Sequence, residues 1–317
     1  MKIYDFTRAS SEHPDRDEDA ILFYSGTNGG ENNAPVFAVI DGMGGQQHQN
    51  HDGTLMTGHE ASQMVRDTLI EDLQHLPADI DASPGGEGEQ QVTAALVRAH
   101  QRVLRELNNG DEYPVGHRVG AVATVVVVCE NGQRLLTVQV GDSRGYLFSD
   151  GELIQLCQDE DNIEFFVRSN LLTPEDAEKI SLILDNYDGV DEPVTEGTIT
   201  ISGNPYDLYI AWRWFLVGNT VLNIPAANIV INALGIHPTD PIAQTSRIEV
   251  SPGDLLLLCS DGVYKNLAEA EIIEGLKQDG DKAQNLGDAA YARSQEKDNR
   301  RSTVDDISAV VVDLSAS

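Results

Sequence analysis

Three apolar segments of this chain each end at an aspartate. The segments are VFAVI before Asp41-Gly42, TVQVG before Asp142, and LLLLCS before Asp261-Gly262. A further acidic pair, Asp305-Asp306, directly precedes the apolar segment ISAVVV. Short apolar runs rich in β-branched residues are typical of buried strands. Because sheets hold strands rigidly, carboxylates at strand ends can converge on one point in a way that scattered surface acids cannot.

Carboxylates brought together in this way repel one another unless a cation lies among them. Oxygen ligands without a His or Cys cluster favour Mg²⁺ or Mn²⁺ over Zn²⁺. Gly42 has no β-carbon, so its carbonyl can turn toward such an ion. A single Asp-Gly pair is most often only a turn; the three strand ends and the acidic pair taken together favour a metal site.

The composition disfavours several classes of partner. The chain has 317 residues and a net charge of −31, from 52 acidic and 21 basic residues. Such a charge repels nucleic-acid phosphate and anionic lipid, so we expect neither nucleic-acid nor membrane binding. A solubilising or salt-adapted surface would explain most of this acidity without any function.

The cysteines and the N-terminal sequence indicate a cellular compartment. The three cysteines form no CxxC pair and lie in or beside apolar runs, which indicates buried thiols in a reducing environment. The opening sequence MKIYDFTRASSEH contains no apolar signal region. We therefore expect a soluble cytoplasmic protein.

The periodicity of the chain predicts layers of helices and sheets. Apolar residues recur at steps of three and four in residues 61–76 and 92–107, which predicts two amphipathic helices. Residues 120–157 contain short apolar runs separated by tight-turn sequences, typical of an antiparallel meander. Later strand patterns alternate with helical patterns at residues 267–278 and 281–297. Two helical layers enclosing two sheets account for this order.

The middle of the chain follows a different pattern. Thr173-Pro174 predicts a helix start, with a capping threonine and proline at the first helical position. Residues 188–223 mix Gly, Pro, Thr and aromatic residues without a clear period. We interpret residues from about 160 to 235 as an insertion or enlarged flap.

Other phosphate chemistries fit the same residues poorly. An aspartyl-phosphate mechanism of the dehalogenase type needs a second aspartate where Met43 lies. A cysteine phosphatase needs an arginine six residues after its cysteine, where Cys259 has Lys265. Asp261 between them would raise the pKa of the thiol and repel phosphate. No GxxxxGK[ST] loop is present.

The acidic motifs, taken in order, resemble those of the metal-dependent protein serine/threonine phosphatases of type 2C. They are Glu18-Asp19-Ala20, DGMGG at residues 41–45, GDSR at residues 141–144, SDG at residues 260–262, and DDIS at residues 305–308. The form DGMGG resembles the bacterial branch. The resemblance implies an α+β fold, a four-layer αββα sandwich of two mainly antiparallel sheets flanked by helices, as a single type 2C-like phosphatase domain over residues 1–317.

The resemblance also implies a two-metal site with Mg²⁺ or Mn²⁺, and a third, weaker ion. Asp41 matches the carboxylate that bridges both metals, Gly42 a carbonyl ligand, and Asp261 and Asp305 the remaining direct ligands. Glu18 and Asp19 match acids that hold metal-bound water, and Asp142 matches a ligand of the third ion. The implied reaction is hydrolysis of phosphoserine or phosphothreonine in proteins by a metal-activated water, without a covalent enzyme intermediate.

The implied partners are those of a signalling enzyme. They are phosphoprotein substrates, with a cognate kinase system as a candidate source of them. We expect a monomer and no cofactor other than the metals.

Three positions depart from the family pattern. Pro14 lies where an arginine usually binds the substrate phosphate, so Arg16 is the candidate replacement; its alternative role is a surface pair with Asp15 or Asp17. Gln46 follows the glycines where a histidine often acts as general acid. That leaves His48, or His51, as the candidate.

Asp306 stands where the family usually has an asparagine, and its charge could tighten or perturb metal binding. The missing arginine, the displaced histidine and the long insertion leave open a second hypothesis, a pseudophosphatase that keeps the fold and acts as a binding or regulatory module.

Overall fold

The computed structural model describes most of the chain. The described residues are 1–24, 27–28, 31–43, 48–49, 53–110, 113, 117–158, 166–167, 172–186, 197–208, 210–211, 232–296, 299 and 301–315. The chain divides into two compact units, Met1–Asp159 with Ala233–Ser317, and Glu160–Asn232. Within the described residues no helix is long and apolar enough to cross a membrane.

The larger unit contains two five-stranded sheets in which all neighbouring strands are antiparallel. The first sheet has the order β1-β16-β15-β10-β11, formed by Lys2–Arg8 (β1), Ile307–Asp313 (β16), Leu255–Cys259 (β15), Arg144–Ser149 (β10) and Glu152–Gln155 (β11). The second has the order β14-β9-β8-β5-β2, formed by Gln244–Glu249 (β14), Arg134–Val140 (β9), Gly120–Cys129 (β8), Val36–Met43 (β5) and Ala20–Tyr24 (β2).

Helices flank these sheets. They are Gly58–Leu73 (α1), Glu87–Glu106 (α2), the short Asp261–Tyr264 (α4), Glu269–Lys277 (α5) and Lys282–Ser294 (α6). Two short ladders also belong to this unit, Thr27–Asn28 (β3) with Glu31–Asn32 (β4), and His48–Gln49 (β6) with Leu55–Met56 (β7). A 3₁₀ turn at Glu130–Gly132 joins β8 to β9.

Alternation along the strands explains the layers. In β5, Val36, Ala38 and Ile40 belong to the buried cluster that includes α1 and α2. Phe37 and Val39 point the other way and belong to the cluster between the two sheets. A third cluster lies between the first sheet and helices α5 and α6. Because side chains alternate across a strand, one apolar run supplies two packing faces. The predicted αββα sandwich is confirmed.

The smaller unit has its own elements. It contains helix Pro174–Asn186 (α3) and a hairpin of Thr198–Ile201 (β12) with Asn204–Asp207 (β13). The helix begins where predicted, and the amide of Asp176 donates to the Thr173 hydroxyl (3.1 Å). A buried cluster unites them, formed by Phe166, Leu172, Ala177, Ile180, Ile199, Ile201, Leu208 and Ala211. Most of residues 188–223, for which the sequence shows no period, lie outside the described residues.

The inter-sheet core allows a matched test. Phe37 and Phe23 are cross-strand partners, but Phe37 is 0% exposed and Phe23 is 47% exposed. We expect Phe37→Ala to lower the free energy of unfolding by about 3–5 kcal/mol, because it leaves a cavity between the sheets. Phe23→Ala should cost less than about 1 kcal/mol. Urea unfolding of both variants at fixed metal concentration measures the difference, and equal losses would contradict the layer assignment.

Candidate active site

Four of the predicted acids act electrostatically on a fifth, Asp41, at the ends of the two sheets. Asp41 continues the face of β5 that carries Phe37 and Val39, so it lies on the side of its sheet that faces the other sheet. Its pKa is raised well above the ordinary value, first by burial and then by the charges of Asp19, Asp261, Asp305 and Asp142. The structure therefore brings these acids, predicted from separate motifs, to one place.

Asp19 lies between the two sheets. It directly precedes β2 and is 4% exposed. Burial, followed by the charges of Asp17 and Asp306, raises its pKa well above the ordinary value, and the hydroxyls of Ser260 and Ser308 oppose that rise. Both serines belong to the first sheet region, next to β15 and within β16. Asp19 thus connects the ends of the two sheets.

Two glycines allow the acidic segments to approach closely. A β-carbon at Gly42 would overlap the carbonyl oxygens of Glu18 and Gly58. A β-carbon at Gly262 would overlap the carbonyl oxygen of Asp306. Backbone packing therefore requires a residue without a side chain at position 42. The sequence explained Gly42 only by the freedom of its carbonyl to turn toward an ion, and the close packing was not predicted.

Asp306 holds the loop that carries Glu18. It is 3% exposed, and its two carboxylate oxygens accept the amides of Ser10 (2.6 Å) and Glu18 (2.6 Å). An asparagine in the same orientation would present its NH₂ group, a donor, to one of these two amides, so it could not accept both of them in this geometry. The carboxylate of Asp306 therefore anchors the loop that carries Glu18. From the sequence, we expected it only to tighten or to perturb metal binding.

Arg16 pairs with a predicted site acid. Its Nε lies 2.8 Å from Glu18 Oε1, and the Arg16 side chain is 29% exposed. The surface pairing with Asp15 or Asp17, considered from the sequence, is not the ion pair observed. Burial raises the pKa of Glu18, and the charges of Arg16 and His13 oppose this. Arg16 is thus close to the acidic group, and its role toward phosphate remains a prediction.

Two histidines that the sequence interpretation did not select lie beside this loop. His13 Nδ1 lies 2.8 Å from the Arg16 carbonyl oxygen and 3.6 Å from Asp306 Oδ1. His59 Nδ1 lies 2.6 Å from the Asp17 carbonyl oxygen. His59 also sits in the first turn of α1, where its amide donates to the capping hydroxyl of Thr57 (3.2 Å).

Asp261 opens α4 and pairs with a lysine. Lys265 Nζ donates to Asp261 Oδ2, while the buried Oδ1 of Asp261 has no hydrogen-bond partner among the described residues. Burial lowers the pKa of Lys265, but the charges of Asp261, Asp142 and Asp305 raise it. The net result is a pKa above the ordinary value. The sequence interpretation did not assign Lys265 to the site, although its i,i+4 spacing from Asp261 was a usable signal.

Burial and a neighbouring negative charge destabilise the ionised form of Asp305. Burial and then the charge of Asp261 raise its pKa to about 7, although the amide of Asp306 and the charge of Lys265 oppose the rise. That amide donates to Asp305 Oδ1 (3.0 Å). Asp305 and Asp261 therefore behave as neighbouring like charges.

Asp142 is tied to α4. The Tyr264 hydroxyl donates to the Asp142 carbonyl oxygen (3.1 Å) and lies 3.3 Å from its Oδ2. The Arg144 guanidinium stacks over the Tyr264 ring at 3.6 Å from its centroid. The short helix that carries Asp261 thus also contacts Asp142.

The donor set suits a hard divalent cation. The acids supply only oxygen ligands, and the buried Oδ2 of Asp19 and Oδ1 of Asp261 have no hydrogen-bond partner in the described part of the chain. Yet as they lie, no three His, Cys, Asp or Glu side chains among the described residues are grouped to hold an ion. The ion pairs of Lys265 with Asp261 and of Arg16 with Glu18 engage two of the carboxylates.

The histidines predicted as general acids are not described in full. His48 contributes its backbone to β6, opposite Met56, but its side chain lies outside the described residues. His51 and Gln46 lie outside them entirely. The catalytic role of His48 stays a prediction.

Comparisons with known proteins agree with the motifs. Residues 15–299 match the family profile described as protein phosphatase 2C. The serine/threonine protein phosphatase PstP of Mycobacterium tuberculosis is 25% identical over 244 residues, which is 77% of this chain but only 34% of that protein. This chain therefore matches about a third of the mycobacterial relative's length.

A second relative and a solved structure match over more of their length. The serine/threonine phosphatase stp of Listeria monocytogenes is 24% identical over 265 residues, covering 82% of this chain and 81% of that protein. The crystal structure of the PstP catalytic domain in complex with two manganese ions superposes with a TM-score of 0.56. It is 22% identical, covering 98% of this chain and 97% of that chain.

Because neighbouring negative charge destabilises ionised Asp305, replacing it should change the free energy of unfolding in a pH-dependent way in excess EDTA. An acid whose folded-state pKa is raised contributes stability below its unfolded-state pKa, here 3.8, and loses it as the pH rises through about 7. Asp305→Asn retains an acceptor for the Asp306 amide but removes the charge. We expect it to match the unsubstituted protein at pH 4 and to exceed it by about 1–3 kcal/mol at pH 8.

Chemical denaturation at several pH values in EDTA measures this difference. The exposed Asp279→Asn is the matched control and should show no such trend. A less stable Asp305→Asn protein at pH 8 would contradict the assignment of Asp305 to a repulsive cluster.

Proposed function

This chain belongs to the protein phosphatase 2C family, and from that premise we propose that it hydrolyses phosphoserine and phosphothreonine in proteins with bound Mg²⁺ or Mn²⁺. The observation that carries the proposal is the placement of four further acids, at the ends of two facing sheets, where their charges act on Asp41. A site with this much negative charge would repel a phosphate unless divalent cations were present. Oxygen ligands favour the same ions.

We assign the metal ligands by their positions in the motifs. Asp41, Asp261, Asp305 and the Gly42 carbonyl would hold two ions directly. Glu18 and Asp19 would act through water, and Asp142 would hold a weaker third ion. Bound divalent cations supply Lewis acidity, which lowers the pKa of water toward neutrality and offsets charge on the phosphoryl oxygens.

The chain's own basic groups would position the substrate. Arg16 is partly exposed on the loop anchored by Asp306, so its guanidinium could turn from Glu18 to a phosphate without a change of backbone. We propose Arg16 as the replacement for the arginine that is absent at Pro14. His48 is proposed to donate the proton to the departing serine or threonine hydroxyl.

The substrate class follows from this reaction. A phosphomonoester on a protein serine or threonine must be supplied by a protein kinase reaction, so a kinase system is the proposed source of substrate.

We propose that residues 1–317 form one phosphatase domain and that residues from about 160 to 235 are an insertion. The separate buried cluster of the smaller unit supports this division.

The activity is tested with a phosphothreonine peptide and measurement of released phosphate. We expect release with Mn²⁺, none in excess EDTA, and a loss of at least about 100-fold in kcat/KM for Asp41→Ala, since a direct ligand is removed. Arg16→Ala should mainly raise KM. Asp279→Ala, at an exposed acid, should match the unsubstituted protein. Turnover that survives EDTA or the loss of Asp41 would contradict the proposal, and metal binding without turnover would favour a pseudophosphatase.

A further inference from the structure

Lys265 places a permanent positive charge against a proposed metal ligand. Its Nζ donates to Asp261 Oδ2, and its amide donates to the Asp261 carbonyl oxygen (2.9 Å) at the end of α4. Asp261 is therefore joined to Lys265 by both backbone and side chain. The Asp261 side chain is 11% exposed, so this pair differs from an ordinary solvated i,i+4 pair.

The charges around Lys265 are those of the acid cluster. Asp142 and Asp305 act on it in addition to Asp261. Lys265 in turn opposes the effect of the other acids on Asp305. The Lys265 ammonium thus reduces the repulsion among these acids, as a bound divalent cation would.

We propose that Lys265 is a built-in competitor of the divalent cation at Asp261, and that it sets the metal concentration at which the site fills. The inference rests on the proposed function, because it takes Asp261 as a metal ligand. An ammonium hydrogen-bonded to Asp261 Oδ2 and a divalent cation bound to the same carboxylate compete for its negative charge, and their like charges repel.

The side chain of Lys265 is able to leave. It is 43% exposed, and its flexible four-carbon stem can turn the ammonium toward solvent while Asp261 stays in place. Gly262 packs closely against the Asp306 backbone, which holds the Asp261 segment in place while the lysine side chain turns away. Lys265 would therefore stabilise the metal-free protein and weaken metal binding by the same contact.

The test is Mn²⁺ binding to the full chain, measured by isothermal titration calorimetry and checked by equilibrium dialysis. Lys265→Met removes the charge and keeps the stem, and Lys265→Arg keeps the charge. Lys277→Met removes the charge of a lysine that lies over Phe148, whose strand partner Leu255 is at the opposite end of β15 from Asp261. We expect Lys265→Met to bind Mn²⁺ about tenfold or more tightly than the unsubstituted protein. Lys265→Arg and Lys277→Met should bind as the unsubstituted protein does.

Thermal unfolding in EDTA adds an independent readout. Lys265→Met should unfold at a lower temperature than Lys265→Arg, because the acids lose their counter-charge. An unchanged or weaker Mn²⁺ affinity for Lys265→Met would overturn the inference while leaving the proposed function intact. Absence of Mn²⁺ binding in both proteins would instead overturn the proposed function.

Discussion

Repulsion among buried and half-buried carboxylates is the constraint on which the rest of this structure depends. The chain places Asp19, Asp142, Asp261 and Asp305 where their charges act on Asp41, and Asp261 also acts on Asp305. Burial strengthens the effect. The cost is met in three ways. Lys265 and Arg16 pair with Asp261 and Glu18, serine hydroxyls lie beside Asp19, and backbone amides occupy Asp306.

The layers of the fold keep these charges together despite that repulsion. Phe37, Val39 and their partners from both sheets form a buried cluster, so the strand ends are held at fixed positions. Gly42 and Gly262 then let the acidic segments meet backbone to backbone. Burial of apolar side chains between the sheets and the close packing at the two glycines thus hold together acids that their mutual repulsion would otherwise separate.

The sequence predicted the layers well because strand alternation records them directly. Val36 to Ile40 shows both packing faces within five residues, and the motifs identified the family. The hairpin of β12 and β13 was missed, although Thr198–Ile201 alternates polar and apolar residues and Ser202-Gly203 follows as a turn signal. The two strands have only four residues each, and the surrounding segment has no clear period. The anchoring role of Asp306 and the pairing of Arg16 with Glu18 depend on contacts between distant or loop residues, which no local pattern records. The roles assigned to the metal ligands, Arg16 and His48 remain predictions.

The central claim is that divalent cations occupy the place where the acids converge. The most direct measurement is an anomalous difference map from crystals of the full chain grown with Mn²⁺, collected near the manganese edge. Our account predicts two strong peaks in contact with Asp41, one of them also in contact with Asp261, and the Lys265 ammonium displaced from that carboxylate. A map without manganese at Asp41, with Lys265 still bound to Asp261, would contradict it.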